Sequence, residues 1–236
     1  MRRGPVLVAG SINTDLVVRV PHAPGNGETV TGDRFDVFGG GKGANQALAA
    51  VRSGAPTAML GALGNDDFGR QRLAHLLDED VDCAGVAIID DHPSGVALIT
   101  VEESGENRIA YIPGATRAVT EGQARTAFQA IAPKVVLATL ELPAGVIQAL
   151  IHEARAAGVP VIINATPEPG AGKLLALQAD ILVVNETEAN ELLGAEHGRL
   201  EWQDAAAQLR EIGPSSVIVT LGAAGAVLVD RAGVVR

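Results

Sequence analysis

The sequence predicts an α/β fold with a mainly parallel central sheet and a small antiparallel β-sheet added to it. Three observations carry this. Short all-apolar runs of strand length alternate with longer helical patterns, the signature of a parallel sheet buried on both faces. Two further regions alternate apolar with polar residues instead, as half-covered antiparallel strands do. The chain has 236 residues, 47% of them hydrophobic but only 3% aromatic, so one large domain can form around an aliphatic core.

Strands are predicted at Val6–Ala9, Thr57–Leu63, Val135–Leu140, Val159–Ile163, Ile181–Val184 and Val217–Leu221. Helices are predicted at Ala44–Arg52, Phe68–Leu77, Glu121–Ala130, Ala144–Ala157, Glu188–Leu193 and Leu200–Glu211. The added sheet is expected from Leu16–Val20 and Thr29–Phe38, around the loop Pro21–Gly27. It is completed by Gly95–Val101 and Asn107–Ile112, around the polar turn Glu102–Glu106. Such an appendage serves as a lid, as a surface for a second subunit, or as an ordinary surface hairpin. Near the end, Val217–Leu221 and Ala226–Asp230 read as successive strands, and Ala232–Arg236 reads as the start of another.

Composition excludes several functions. A net charge of −10 argues against a nucleic-acid binder, which needs a basic face. One Trp, one Tyr and four Phe leave little for base stacking. Cys83 is the only cysteine, so neither an intrachain disulfide nor a cysteine metal cluster is possible. No apolar stretch is long enough to span a membrane, and the expected location is the cytoplasm.

The run Gly39-Gly40-Gly41-Lys42-Gly43-Ala44-Asn45 lies before a helix pattern, where bare backbone and a helix start favour a polar or anionic ligand. It is not a P-loop, because Gly43 stands where Ser or Thr should follow the lysine. Its match to a dinucleotide fingerprint is also poor, since it is outside the first strand–helix unit and Met59–Gly64 holds no acid. A flexible turn is the remaining alternative. Gly10-Ser11-Ile12-Asn13-Thr14-Asp15 follows the first strand; if extended, it sets Asn13 and Asp15 on one face, an amide and a carboxylate suited to sugar hydroxyls. The same residue types also form plain turns. Glu141 ends a strand, placed either for a site or to complement the following helix. Asn185-Glu186-Thr187-Glu188 either opens a helix or holds magnesium beside phosphates. Thr220-Leu221-Gly222-Ala223-Ala224-Gly225 either lines a nucleotide pocket or makes a tight hairpin.

These segments together, in order and spacing, resemble the PfkB-type carbohydrate kinases and most of all their ribokinase branch. Thr29-Val30-Thr31-Gly32 and Ser94-Gly95-Val96-Ala97 resemble that branch's lid. The resemblance implies a ribokinase-like three-layer fold over residues 1–236, with lid strands at about 16–38 and 95–112. It implies transfer of the γ-phosphoryl of ATP to a sugar hydroxyl, for this branch the 5-hydroxyl of D-ribose. It places Asn13, Thr14, Asp15, Gly41, Lys42, Gly43, Ala44, Asn45 and Glu141 at the sugar. Asn185, Thr220, Leu221, Gly222, Ala223, Ala224 and Gly225 would contact ATP, and Glu188 would help place Mg²⁺. A homodimer through the lid strands is implied as well.

The family pattern continues with a Gly-Ala-Gly-Asp-like motif, whose glycines cradle the moving phosphoryl group and whose Asp takes the hydroxyl proton. No such motif occurs between Gly222 and Arg236. Asp66, Asp67, Asp90, Asp91 and Asp180 lie near element boundaries, but none follows a Gly-x-Gly helix start. The expectation is a form of the fold incomplete at its C-terminus, without the catalytic base, the adenine-covering segment or a monovalent-cation site, and impaired or inactive as a kinase. The alternatives are a non-catalytic sugar-binding or dimerising module, a kinase for another sugar or nucleoside, and, least consistent with the motifs, a nicotinamide-dependent dehydrogenase.

Overall fold

The computed structural model describes residues 4–166, 172–194 and 201–235. In chain order its first elements are β1 (Val6–Ala9), β2 (Asn13–Val20), β3 (Arg34–Gly40), α1 (Lys42–Arg52), β4 (Thr57–Gly64), α2 (Asp67–Asp78) and β5 (Asp82–Ile89). Then come β6 (Gly95–Glu102), β7 (Asn107–Ile112), α3 (Glu121–Ile131), β8 (Val135–Thr139), α4 (Ala144–Ala157) and β9 (Val161–Asn164). The last are α5 (Lys173–Ala176), β10 (Ile181–Asn185), α6 (Glu186–Leu193), α7 (Trp202–Glu211), β11 (Ser216–Thr220), β12 (Ala226–Val229) and β13 (Val234–Val235).

The large sheet has the order β13-β12-β11-β10-β9-β8-β1-β4-β5. From β11 to β5 every pairing is parallel; β12 and β13 are added antiparallel. Side chains alternate between its faces. Leu7, Ala9, Val136, Ala138 and Ile163 pack with α3 and α4, whose Phe128, Ile147 and Ile151 are buried. Val8, Met59 and Leu63 face the other way, onto Ala44 and Ala47 of α1 and Leu76 of α2. A buried Leu, Ile or Met contributes roughly 1.5–3 kcal/mol, so these two aliphatic layers hold the sheet without aromatic help. Among the described residues no helix is long and apolar enough to cross a membrane.

The small sheet has the order β3-β2-β6-β7. Its outer pairs are antiparallel, but β2 and β6 in the middle run parallel. Two hairpin-like halves, far apart in sequence, therefore join side by side.

Several boundaries differ from expectation for identifiable reasons. β5 was not among the expected strands, because Asp82 and Gly85 interrupt its apolar pattern. Gly85 lies at a register shift against β4, where an added Cβ would come 2.6 Å from the Met59 carbonyl oxygen. The strand expected over Thr29–Phe38 is instead Arg34–Gly40, so two glycines of the run pair with Thr14 and Asn13. Helix α1 begins at Lys42 rather than Ala44, and Gly43 is helical. β9 starts after Pro160, which has no N–H to give a ladder. Leu200, the expected first residue of a helix, and Arg236, at the end of the last expected strand, lie outside the described residues.

Candidate functional site

β1 has β4 on one side and β8 on the other, so the chain winds away from β1 in both directions. The crevice beyond the carboxyl ends of such strands is where an open α/β sheet offers a ligand site. Two segments meet there. Glu141, just past β8, accepts hydrogen bonds from the Ser11 hydroxyl at 2.6 Å, the Ser11 N–H at 3.2 Å and the Thr139 hydroxyl at 3.0 Å. All three fall on Oε2, leaving Oε1 outside this group of bonds. Helix α4 is preceded by Pro143 and has no acid in its first turn, so Glu141 is not complementing that helix. The Asn13 amide donates to the Ser11 hydroxyl at 3.4 Å, while its Oδ1 is buried without a partner.

The glycine run gives this crevice its floor. Gly41, with φ of 92°, precedes α1, and a Cβ there would come 2.6 Å from the Ser11 carbonyl oxygen. At Gly43 a Cβ would lie 2.6 Å from the Gly10 carbonyl carbon. The Ala44 N–H then donates to the Ser11 carbonyl at 3.0 Å. These glycines seat the helix start on the Gly10–Asn13 backbone; the close approach is of chain to chain. Lys42 and Asn45 are exposed on the first turn of α1.

Asp15 lies over Gly40, whose missing side chain makes room for the carboxylate. Burial pushes the Asp15 carboxyl up, and the nearby charge of Arg72 opposes that rise. Across the small sheet Asp15 pairs with Ala97, and Ala97 with Tyr111, so the three share one row and one face. A cavity of about 500 Å³ opens at the Tyr111 end of this row, lined by Tyr111, Arg117, Leu140 and Glu141 among others.

The expected sugar-side residues thus divide. Asn13, Asp15, Gly41 and Glu141 are brought to one crevice, with Lys42, Gly43 and Asn45 at the helix start beside it. Thr14 alternates to the opposite face of β2, fully buried, and Ala44 packs its methyl into the core under α1. Neither side chain faces the crevice. Ser11 and Thr139, which orient Glu141, were not among the expected site residues; their one sequence signal was a hydroxyl residue at or just past a strand's carboxyl end.

The second group stands further along the same sheet edge. Asn185 at the end of β10 pairs with Thr220 at the end of β11. Asn185 and Glu188 form a closed capping box: the Glu188 N–H donates to Asn185 Oδ1, and the Asn185 N–H donates to Glu188 Oε2, both at 2.8 Å. Gly222–Ala224 is a short 3₁₀ turn into β12, exposed, with Gly222 and Gly225 at positive φ of 53° and 94°. A Cβ at either glycine would meet nothing within 4 Å.

Among the described residues no three His, Cys, Asp or Glu side chains gather to hold a metal ion. Glu188 is buried, at 5% exposure, and its Oε2 is spent on the cap, so the residues gathered here form no protein cage for a metal. Four of the five aspartates weighed from the sequence are occupied elsewhere. Asp66 accepts from the Gly69 N–H and from both the N–H and hydroxyl of Ser94; Asp67 pairs with Arg70; Asp90 accepts from Asn65; Asp180 accepts from the Val161 N–H.

With this geometry in place, likeness to known proteins is informative. Residues 5–236 match the model of the pfkB family carbohydrate kinases. The chain is 38% identical over 232 residues to a ribokinase of Schizosaccharomyces pombe, covering 94% of this chain and 73% of that one. It is 35% identical over 233 residues to a ribokinase of Haemophilus influenzae, covering 98% and 76%. A structure of the Arabidopsis thaliana ribokinase complexed with ribose and ATP superposes with a TM-score of 0.82 at 28% identity, covering 100% of this chain and 78% of the other. The chain belongs to the pfkB family of carbohydrate kinases.

Proposed function

We propose that this ribokinase-type chain uses ATP and transfers its γ-phosphoryl group to the 5-hydroxyl of D-ribose. The observation that carries the reading is the meeting of Asn13, Asp15, Gly41 and Glu141 at the point where the sheet changes winding direction. Carboxylates accept from sugar hydroxyls; the Asn13 amide, Lys42 and Asn45 supply donors. At about 4.8 Å per strand, β10 stands about 10 Å from β8 and β11 about 14 Å, so a nucleotide on Asn185 and the Thr220–Gly225 turn extends its phosphates toward the sugar.

Phosphoryl transfer asks for in-line positioning and charge neutralisation more than covalent help. In this chain Glu141 is fixed by Ser11 and Thr139, and the Asp15 carboxylate packs over Gly40, so the sugar would meet one oriented acceptor and a second beside it. Magnesium, when bound, neutralises phosphate charge. Closure of the small sheet over the crevice would exclude water as a competing acceptor. With ATP as donor, the reading puts the enzyme in the cytoplasm.

The 236 residues contain no Gly-Ala-Gly-Asp-like segment, and among the described residues none of Asp66, Asp67, Asp90 or Asp180 reaches the crevice. We therefore expect this polypeptide, assayed by itself, to bind ribose and transfer phosphate slowly or not at all. Calorimetric titration with D-ribose is the test, alongside ribose-dependent ADP release. Binding at millimolar concentration or tighter, lost in Asn13→Ala, supports the site; no pentose binding at that concentration overturns it.

We also infer a homodimer through the small sheet. On the face opposite Asp15, Phe35, Val37, Leu98 and Ile112 are exposed together, an apolar patch of the kind a second subunit covers. Sedimentation should show a dimer that Phe35→Asp weakens; a monomer at all concentrations excludes it.

A further inference from the structure

One carboxylate outside the crevice ties the β6 end of the small sheet to the body of the fold. Asp66 caps the start of α2, its Oδ1 accepting from the Gly69 N–H at 2.7 Å. The same carboxylate holds Ser94, the residue before β6. Its Oδ2 accepts from the Ser94 N–H at 2.8 Å, and Oδ1 from the Ser94 hydroxyl at 2.7 Å. That hydroxyl accepts in turn from the Gly64 N–H, at the end of β4, at 3.0 Å. Ser94 is buried, and the chain around it is wedged in place. A Cβ at Gly64 would come 2.5 Å from the Ser94 nitrogen, and one at Gly114 would clash with the Pro93 carbonyl oxygen. The next residue, Gly95, pairs with Asn13 on the first rung between β6 and β2. A Cβ on Gly95 would clash with Asn13 Oδ1, so the Asn13 amide rests directly on this glycine. The amide's bond to the Ser11 hydroxyl is long, at 3.4 Å, which leaves Gly95 as the firmer support.

We propose that Asp66, acting through Ser94 and Gly95, is a positioning residue for Asn13. The inference rests on the pentose reading of the crevice and adds to it a residue that never touches the sugar. Helix capping alone does not explain the choice of Asp. Ser, Thr or Asn would cap α2 as well. None of them offers two acceptor oxygens to Ser94: Ser and Thr carry one hydroxyl, and Asn would set its NH₂ against the Ser94 N–H. The carboxylate is therefore specified by Ser94, and Ser94 fixes where β6 begins. A side chain that must meet a ligand has to be held to about 0.5 Å by the residues behind it, because a hydrogen bond weakens steeply as its angle opens. Releasing Ser94 lets Gly95 shift under the Asn13 amide, while Ser11 and Glu141 keep their own bonds.

The test pairs ribose calorimetry with NMR of the sugar-free protein, on wild type, Asp66→Ser, Ser94→Ala and a control, Asp67→Ser. Asp66→Ser keeps a helix cap but drops the tie to β6, whereas Ser94→Ala leaves the carboxylate cap whole. Asp67 is the exposed neighbour that pairs with Arg70 instead. Asp66→Ser and Ser94→Ala should each weaken ribose about fivefold, the worth of one hydrogen bond. Each should also shift the Asn13 side-chain amide signal, assigned by its loss in Asn13→Ala, and leave that of Asn185 in place. Asp67→Ser should do neither. Circular dichroism checks folding; if Asp66→Ser unfolds, Ser94→Ala decides. Folded Ser94→Ala with an unchanged ribose Kd or an unmoved Asn13 signal overturns the proposal and leaves Asp66 as a helix cap in an intact sugar site. The same changes in Asp67→Ser, or an equal shift of the Asn185 signal, also overturn it, since they report general loosening. Failure of the wild-type chain to bind any pentose overturns both this proposal and the pentose reading.

Discussion

The two ends of the proposed substrate path are built from similar residues in opposite ways. At the β1–β8 crevice the glycines are crowded: a Cβ at Gly10, Gly41 or Gly43 would come within 2.8 Å of backbone or side-chain atoms. At the β11–β12 turn, Gly222 and Gly225 have nothing within 4 Å of an added Cβ, and only their positive φ asks for glycine. The same residue type thus does packing work at one site and conformational work at the other. Packing glycines pre-set a pocket, which suits a small ligand read hydroxyl by hydroxyl. An exposed turn leaves room for a long ligand that lies across it.

Four changes probe that contrast. Gly41→Ala should have the largest effect, because it adds both a clash with Ser11 and a side chain at φ of 92°. A loss of about 3 kcal/mol or more is expected in urea unfolding. A loss under about 1 kcal/mol would show that the helix start can shift off the Gly10–Asn13 backbone. Glu141→Ala removes the acceptor of three donors and should cost about 2–3 kcal/mol together with ribose affinity. If stability falls but ribose binding does not, Glu141 serves the fold and not the sugar.

Gly222→Ala should cost about 1–2 kcal/mol, for left-handed backbone alone, with no effect on ribose. A cost matching that of Gly41→Ala would erase the distinction between the two sites. The smallest effect concerns Asp66, where the Ser94 that leads into β6 is tied to the start of α2. Burial raises the Asp66 carboxyl, but bonds from Ser94 and Gly69 and the charge of Arg70 outweigh it, so its pKa is below the ordinary value of 3.8. Its contribution is fully present above that value and fades as the pH falls through it toward the folded-state pKa. Asp66→Asn should flatten that part of the stability curve; an unchanged acid limb would sink this account.

How much could be read in advance follows from whether the signal was local. The parallel strands were legible because each is a short aliphatic run followed by its own punctuation, such as Gly10 after β1. Asn13, Asp15 and Glu141 could be singled out as candidates because polar residues at strand ends stand out against those runs. What escaped was pairwise. Nothing local to Ser11 announces that its hydroxyl is held by a residue 130 positions later. Gly95 looks like an ordinary strand start until the parallel pairing of β2 with β6 sets it against the Asn13 side chain. β5 was missed for a simpler reason: Asp82 and Gly85 are poor strand residues, accepted at a sheet edge and an irregular pairing with β4.

The bond between Ser11 and Glu141 also bears on how the molecule assembles. Closing so long a stretch of chain is entropically expensive and comes only once β8 has docked against β1. The proposed pentose pocket is thus a product of global folding, absent from any partly folded form that lacks that docking. Ribose should slow hydrogen exchange in the core strands of both halves by mass action, and not merely quiet the loops it touches.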